Sequence, residues 1–289
     1  MRTTRTVAEL RCALRGPRRA GARIGLVPTM GAFHDGHLSL MRRAREQCEL
    51  VVVSLFVNPS QFNEAADLAA YPRDESHDAE LAARIGIDHL FAPSAAEVYP
   101  DGFATTVSVG GLTEGLEGSH RGRTHFDAVA TVVTKLLNIV GPDVAYFGQK
   151  DAQQALVVQR LVRDLNIPVS IEVCPTVRED DGLAMSSRNA LLDPGERRRA
   201  TALRRALQVA GATVAEGERD AATVIAAAVA ELNAAEVATE YFELVRADTM
   251  VPVAQVQGDV LAVVAARVGN TRLIDNQLLS TGPSGGGKH

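Results

Sequence analysis

Two histidines three residues apart mark the stretch PTMGAFHDGH, Pro28 to His37. The stretch follows the apolar run Ile24 to Val27, which predicts a strand, and it precedes a helical pattern. A helix N-terminus presents unpaired backbone N–H groups and a partial positive charge, which attract phosphate. Gly31 and Gly36 let the backbone turn tightly beside a base or a phosphate, and both imidazoles can donate hydrogen bonds to phosphate oxygens. The stretch therefore favours a nucleotide site.

Two other interpretations of this loop stay open on its residues alone. Its glycines are equally typical of a tight turn that binds nothing. Two histidines also suggest a metal, but zinc requires at least a third ligand, and no Cys, His or Glu stands at a useful spacing. We therefore expect His34 and His37 to act on phosphates rather than on a metal.

A second polar cluster, FGQKDAQQ at residues 147–154, also follows a predicted strand and opens a predicted helix. Lys150 can neutralise a phosphate there, while Asp151 can cap the helix or bind a ribose. A Lys-Asp pair at a helix start is more often a solvated surface, so the position after a second strand is what favours a site. Gln154 lies one helical turn beyond Lys150.

Two more clusters contain groups that bind oxygen atoms. MSSR, Met185 to Arg188, sets two hydroxyls and a guanidinium in a row, which suits a triphosphate, although a helix cap or a linker is an equal alternative. In FVNPSQF, Asn58 and Gln61 follow a strand so apolar that their amides require partners. An oriented amide pair suits a small hydroxy acid, and the alternative is an Asn-Pro turn with an exposed glutamine.

The elements that must position these clusters predict a doubly wound α/β fold. Short apolar runs alternate with helical patterns, which is typical of parallel strands joined by crossover helices. Ligands bind such sheets outside the carboxyl ends of the strands, where the polar clusters lie. Residues 128–140 are apolar almost all round and predict a buried helix that ends near Gly141. The predicted strands are RIGLV, LVVVSLFV, IDHLFA, DVAYFG and VSIEV.

A smaller α+β domain is expected after residue 177. DPGE, from Asp193, supplies an N-cap, a proline at the first helical position and a glutamate at capping-box distance before the helix RRRATALRRALQVAGATVAEG. Another Ala-rich helix and the strand-like runs EYFELV and DVLAVVAARV follow. We therefore predict domains at residues 1–177 and 178–289, with a disordered Gly-rich tail, STGPSGGGKH.

Composition limits the classes of protein to which the chain can belong. Its 289 residues, 46% hydrophobic and 22% charged, are ordinary for a globular protein of two domains. A formal net charge of −5 disfavours nucleic acid as a partner. No apolar run reaches the roughly 18 residues of a membrane helix, no signal-peptide core is evident, and three widely spaced cysteines do not predict disulfides. We expect a cytoplasmic enzyme with a small substrate and no membrane partner.

Taken together, HDGH and MSSR resemble the HIGH and KMSKS signatures of the nucleotidyltransferase superfamily, whose reactions involve attack on an α-phosphorus. Within it, an ordered set of motifs across about residues 20–276 is similar to the pantothenate synthetase family, the pantoate β-alanine ligases. The resemblance implies condensation of pantoate with β-alanine to pantothenate, with ATP cleaved to AMP and pyrophosphate, through a pantoyl-adenylate and with Mg²⁺. It also implies a Rossmann-like first domain, a C-terminal lid domain and a homodimer. The motifs are PTMGAFHDGH, FVNPSQF, YPRD, THF, FGQKDAQQ, PTVRE, DGLAMSSRN and TRLIDN.

The resemblance also implies roles for residues at the matching motif positions. The catalytic residues would be His34, His37 as a proton donor, Lys150 and Arg188. The pantoate ligands would be Gln61 and Gln154, with Asn58 and Tyr71 in support. The ATP site would comprise Met30, Gly31, Ala32, Phe33, His34, Asp35, Gly36, His37, Gly148, Gln149, Lys150, Asp151, Val177, Met185, Ser186, Ser187 and Arg188.

Departures from the family pattern leave two assignments open. HRGRTHF has one residue more than the RPGHF-like run of the family, so either Arg121 or Arg123 can serve the substrate site, and we favour Arg121. His77 interrupts the carboxylate-rich segment that follows YPR, which leaves Asp78 as the expected Mg²⁺ ligand. Ala152 replaces an aromatic residue that often follows KD, which should alter packing more than chemistry.

Two other functions are compatible with a nucleotide site. Another small-molecule adenylyltransferase of the same superfamily would not need the amides of FVNPSQF and KDAQQ. A nucleotide-binding sensor that has lost catalysis is disfavoured by the intact His34, His37, Lys150 and Arg188. A tRNA synthetase is disfavoured because the chain is short for an added anticodon domain and its net charge is negative.

Overall fold

The computed structural model describes residues 1–62, 68–69 and 71–280. Within it the chain divides into two compact units, the first comprising Met1–Gln149 and Gln153–Pro175 and the second comprising Lys150–Ala152 and the chain from Thr176 onward. The sequence predicted a boundary between residues 177 and 178. The predicted disordered tail begins at Ser280, which is instead the last residue of a strand, and its other residues, 281–289, lie outside the described part of the chain.

The first unit is built on a parallel sheet, as the sequence predicted, and this sheet has six strands. All five predicted strands are present, and a three-residue strand at the start of the chain was missed because it is too short to show periodicity. The strands are β1 Arg2–Thr4, β2 Ile24–Thr29, β3 Leu50–Leu55, β4 His89–Phe91, β5 Val144–Gly148 and β6 Ser170–Cys174. They lie in the order β1-β4-β3-β2-β5-β6, and every neighbouring pair is parallel.

Helices cover both faces of this sheet. Val52 belongs to one apolar core and its neighbours Val51 and Val53 to another, because successive side chains of a strand point to opposite faces. The predicted buried helix ends at Gly141 as expected, with φ +57°, but begins earlier, at residue 123. The helices are α1 Val7–Arg19, α2 Asp35–Gln47, α3 Glu75–Ile85, α4 Ala95–Val98, α5 Glu117–Arg121, α6 Arg123–Val140 and α7 Ala152–Asp164.

The second unit has a small antiparallel sheet with helices of its own. The Asp193 carboxylate accepts from the N–H groups of Gly195 and Glu196, which confirms the predicted cap. The predicted long helix is interrupted at Thr201, whose hydroxyl donates to the Arg198 carbonyl. The elements are α8 Pro194–Ala200, α9 Ala202–Ala215, α10 Ala221–Ala234, β7 Ala238–Arg246, β8 Asp259–Val268 and β9 Thr271–Ser280. The sheet order is β7-β8-β9.

The order of the large sheet reverses where β2 pairs with β5, through Gly25 with Val144 and Leu26 with Ala145. The carboxyl ends of the strands at such a reversal are the usual ligand site of an open α/β sheet. The loop with the two histidines follows β2, and Gly148 ends β5. The fold therefore places two of the predicted polar clusters at this reversal.

Candidate active site

The loop between β2 and α2 has a backbone that requires glycine. Gly31 has a φ of +91°, and a Cβ there would lie 3.0 Å from Asp78 Oδ2 and 3.0 Å from Leu55 Cδ1. Ala32 follows with a φ of +52°. The chain then enters α2, for which His34 is the N-cap. A side chain at position 31 would thus meet both strain and a clash.

Both histidines of this loop accept a hydrogen bond from the backbone. His34 Nδ1 accepts from the Gly36 N–H at 3.1 Å, and His37 Nδ1 accepts from the His34 N–H at 3.4 Å. Their ring centroids are 4.2 Å apart. Because an accepting nitrogen carries no proton, each neutral ring has its proton on Nε2. The N-terminus of α2 thus carries two imidazole N–H donors, which is the chemistry that phosphate oxygens require.

Asp78 anchors the same loop from α3. Its Oδ2 accepts from the Ala32 N–H at 2.9 Å, and its Oδ1 accepts from the Phe33 N–H at 2.7 Å. The side chain is 1% exposed. Burial raises the pKa of this carboxyl, while the two backbone donors act in the opposite direction. The carboxylate therefore stabilises the unusual backbone at positions 31–33.

The predicted role of Asp78 as a Mg²⁺ ligand stays a prediction beside this arrangement. Each of its oxygens accepts one backbone N–H group, and a carboxylate has about four lone-pair sites in all. Among the described residues, no group of three His, Cys, Asp or Glu side chains is placed to hold a metal ion. In this structure the Asp78 carboxylate binds the backbone of the loop.

The amides that follow β3 have the partners that their burial requires. Asn58 is 1% exposed, and its Nδ2 donates to Gln61 Oε1 at 2.8 Å. Gln61 is half-buried, in a single 3₁₀ turn, Pro59–Gln61. The predicted substrate ligand Tyr71 is also half-buried and meets Phe62 edge-on, with 5.6 Å between ring centroids. Asn58 and Gln61 are brought together as the sequence suggested.

The two glutamines at the start of α7 differ in their surroundings. Gln153 is buried, where its Nε2 donates to the carbonyls of Leu112 and Gly115 and its Oε1 accepts from the Glu117 N–H. Gln154, the predicted pantoate ligand, is half-buried. The sequence motif did not distinguish the two, although only one of them fixes the loop at residues 112–117.

The two candidate arginines, left open by the sequence, also lie in different settings. Arg121 Nε donates to Glu117 Oε2 at 2.9 Å, and Glu117 is 8% exposed. Arg123 is exposed and donates to Ser108 Oγ at 3.1 Å. Arg121 is therefore the arginine that is oriented by a buried carboxylate.

In the second unit, Lys150 is held by its main chain. Gln149–Asp151 form one 3₁₀ turn, and the Lys150 carbonyl accepts from Asn276 Nδ2 at 3.0 Å. The preceding residue of β9, Asp275, forms a bidentate pair with Arg178 at 2.6 and 3.0 Å, and its side chain is 2% exposed. The late motif TRLIDN thus binds the backbone of the KD motif through Asn276 and the arginine of the PTVRE motif through Asp275.

Val177 and the MSSR segment are also connected within this unit. The Met185 N–H donates to the Val177 carbonyl at 3.0 Å, and Arg178 forms a backbone bridge with Ala184. Ser186 Oγ accepts from the Arg188 N–H at 3.3 Å and begins the turn Ser187–Leu191. The Arg188 side chain is exposed. Two of the predicted ATP residues in the second unit, Val177 and Met185, are therefore joined by a backbone hydrogen bond.

Comparison with known proteins identifies the family. A sequence model of pantoate-beta-alanine ligase matches residues 2–278. The chain belongs to the pantoate-β-alanine ligase family. The resemblance drawn from the ordered motifs is thereby confirmed, and so is the predicted reaction, the ATP-dependent ligation of pantoate with β-alanine.

Relatives of high identity extend over nearly the whole ligase. The pantothenate synthetase of Moorella thermoacetica is 52% identical over 280 residues, which cover 96% of this chain and 99% of the relative. That of Cereibacter sphaeroides is 53% identical over 272 residues, covering 94% and 97%. Agreement over this length includes both the α/β unit and the α+β unit.

Solved structures of the family share this fold. The pantothenate synthetase of Thermus thermophilus aligns with a TM-score of 0.92 at 47% identity and covers 98% of this chain and 100% of its own. A Francisella tularensis pantoate-beta-alanine ligase, crystallised with beta-gamma ATP and β-alanine, aligns with a TM-score of 0.80 at 32% identity, covering 96% and 97%. In the part of this chain that the structure describes, no helix has the length and apolar character needed to cross a membrane.

Proposed function

We propose that the ligase activates pantoate at the two histidines of the loop before α2 and completes the amide with β-alanine. The observation that carries this proposal is the pair of Nε2–H donors fixed by the hydrogen bonds to Nδ1. Donors whose direction is set before the substrate arrives stabilise charge on a phosphorus centre without reorganisation. His34 and His37 are accordingly assigned to phosphate oxygens of ATP.

In the first step, a pantoate carboxylate oxygen attacks the α-phosphorus of ATP, and the bond to the bridging oxygen of pyrophosphate breaks. The carboxylate is a poor nucleophile that the triphosphate repels, so cationic and N–H donors must neutralise the phosphates. We assign this role to Lys150, Arg188, Ser186 and Ser187, together with the histidines, and His37 can supply a proton to the leaving group. The remaining ATP residues of the loops, Gly148 to Asp151 and Val177, are proposed to contact the nucleotide.

In the second step, the neutral amine of β-alanine attacks the acyl carbon of the pantoyl-adenylate. The C–N bond forms, the bond to AMP breaks, and the amine gives up a proton. No side-chain nucleophile is needed, because holding both reactants in place can supply on the order of 7–11 kcal/mol of the barrier. Gln61 and Gln154 are proposed as pantoate ligands. Arg121 and Tyr71 are proposed for the same substrate site.

Three finer features belong to this proposal because the family supports them. We propose that Mg²⁺ enters the site bound to the phosphates of ATP. A homodimer and a cytoplasmic location are proposed on the same basis. Light scattering of the purified chain would give the mass directly, and a monomer at all concentrations would contradict the dimer.

An AMP-release assay with each substrate omitted in turn tests the proposed function. We expect AMP only when ATP, pantoate and β-alanine are all present, and we expect exchange of labelled pyrophosphate into ATP with pantoate alone. AMP release without β-alanine at the full rate would contradict the ligase reaction, and absence of pyrophosphate exchange would contradict the adenylate mechanism. Absence of AMP with all three substrates would contradict the ligase activity itself.

A further inference from the structure

The amide group of Asn58 has its direction fixed by the main chain. Its Oδ1 accepts from the Ser60 N–H at 3.3 Å, and an N–H can only donate. Its Nδ2 donates to the Ala128 carbonyl at 3.4 Å, and a carbonyl can only accept. The oxygen and the nitrogen of Asn58 are therefore not interchangeable, although amides of this kind are often ambiguous.

Tyr99 adds a strong donor to the same oxygen. Its hydroxyl lies 3.0 Å from Asn58 Oδ1 and donates to it. Burial raises the pKa of this phenol, which favours the protonated hydroxyl that donates here. The ring is held independently of the hydroxyl, since it packs against Phe56 and Phe103 at centroid distances of 6.2 and 5.1 Å.

The direction of Asn58 determines the direction of Gln61. Because Asn58 presents Nδ2, the atom of Gln61 that lies 2.8 Å away is Oε1. The Nε2 group of Gln61 must then point away from Asn58. The main chain of Gln61 is fixed as well, because its carbonyl lies 3.0 Å from His125 Nδ1, which donates to it. All of these residues belong to the first unit.

We propose that Tyr99 is a positioning residue for pantoate, which holds Gln61 through Asn58 so that the Gln61 NH₂ group donates to an oxygen of the substrate. The inference rests on the proposed role of Gln61 as a pantoate ligand. A carboxylate oxygen only accepts hydrogen bonds, so a reversed amide would set Oε1 against it and repel the substrate. The line of Tyr99, Asn58 and Gln61 prevents that reversal.

The variant Tyr99→Phe tests the inference, because it removes the hydroxyl and keeps the ring. We expect the KM for pantoate to rise about five- to tenfold, as loss of one hydrogen bond implies, while the KM values for ATP and β-alanine stay within about twofold. The matched control is Tyr146→Phe, which removes a hydroxyl bonded to Gln47 Oε1 at 2.7 Å and should leave the KM for pantoate unchanged.

A double-mutant cycle separates this inference from the role of Gln61 itself. In a Gln61→Ala background, Tyr99→Phe should no longer change the KM for pantoate, because the group it orients is absent. If Gln61→Ala raises that KM, but Tyr99→Phe has no effect on the parent enzyme or has the same effect with and without Gln61, the positioning role is wrong and the ligand role stands. If Gln61→Ala leaves the KM unchanged, both are wrong.

Discussion

His34 and His37 each use Nδ1 to accept from the backbone, which places the proton of each neutral ring on Nε2. The backbone of the loop thus determines the tautomer of both imidazole rings before any substrate binds. At the scale of single residues, the reactivity of a side chain here is decided by the groups around it rather than by its type.

The tautomers lead to a prediction that distinguishes two replacements of His37. The amide nitrogen of glutamine reaches about as far as ring Nε2, whereas that of asparagine reaches only as far as Nδ1. We expect His37→Asn to lose about 2.7–4 kcal/mol of transition-state stabilisation, the usual cost of removing one such donor, and His37→Gln to lose less. Pyrophosphate release in a single turnover measures this, and equal rates for the two variants would contradict it.

The cysteines predict a contrast in reactivity. Cys12 is exposed, while Cys174 is buried and burial raises the pKa of its thiol to about 11. We expect iodoacetamide at about pH 8 to alkylate Cys12 in the folded protein and Cys174 only after unfolding, because the thiolate is the reactive form. Mass spectrometry of the tryptic peptides gives the result, and rapid labelling of both in the folded protein would refute it.

The same shift fixes the sign of a pH dependence. The pKa of Cys174 is raised above its value of 9.0 in an unfolded chain, so the neutral thiol stabilises the fold below pH 9. That contribution to the free energy of unfolding is lost as the pH rises through 11. We therefore expect the difference in the free energy of unfolding between the parent chain and Cys174→Ala, measured with denaturant, to change between pH 9 and pH 11.

At the scale of elements, α7 begins with two glutamines that do different work. Gln153 bonds to three backbone groups of the loop at residues 112–117, and Gln154 is left half-buried. At this helix terminus one glutamine therefore fixes a neighbouring loop, and the adjacent glutamine is the one proposed as a ligand of pantoate.

Substitution by alanine should separate these two functions. Gln153→Ala leaves buried backbone groups without partners, so we expect a loss of about 3 kcal/mol in the free energy of unfolding. Gln154→Ala is the matched control, for which we expect near-normal stability and a raised KM for pantoate. Thermal unfolding and steady-state kinetics of both variants measure this. A stable Gln153→Ala protein would show that the loop is held by other contacts.

Periodicity was sufficient to predict five of the six strands of the large sheet but not the contacts between the elements. The five apolar runs gave the parallel strands, and the Asp193 capping box gave the start of α8, because each signal is local. The strand Arg2–Thr4 depends on its pairing with β4, which is distant in the chain. The break at Thr201 depends on one hydroxyl. Motif order likewise predicted His34 and Gln61 but not Tyr99, whose role depends on a partner 41 positions away.

At the scale of the whole molecule, predicted ATP residues occur in both compact units. Met30 to His37 belong to the first, and Lys150, Val177 and Met185 to Arg188 belong to the second. Each unit has an apolar core of its own, so each set of residues is positioned by separate packing.

Hydrogen exchange provides a test at this scale. With ATP and pantoate bound, we expect slower amide exchange at residues 30–37 and also at 185–188, because ligands protect the backbone that they contact and stabilise. Mass spectrometry with and without the two substrates measures both segments, and a peptide from α10 serves as the control. Protection confined to residues 30–37 would remove MSSR from the proposed nucleotide site.

The contact between Gly31 and Asp78 has a consequence for how this protein can evolve. The carboxylate that holds the loop also occupies the space in which a side chain at position 31 would lie, 3.0 Å from the place of its Cβ. A larger residue at 31 would press on Asp78, and a smaller residue at 78 would release the N–H groups of Ala32 and Phe33 while the strain at φ +91° and the contact with Leu55 remained. Among proteins that descend from a common ancestor, we therefore expect positions 31 and 78, although far apart in the chain, to change together.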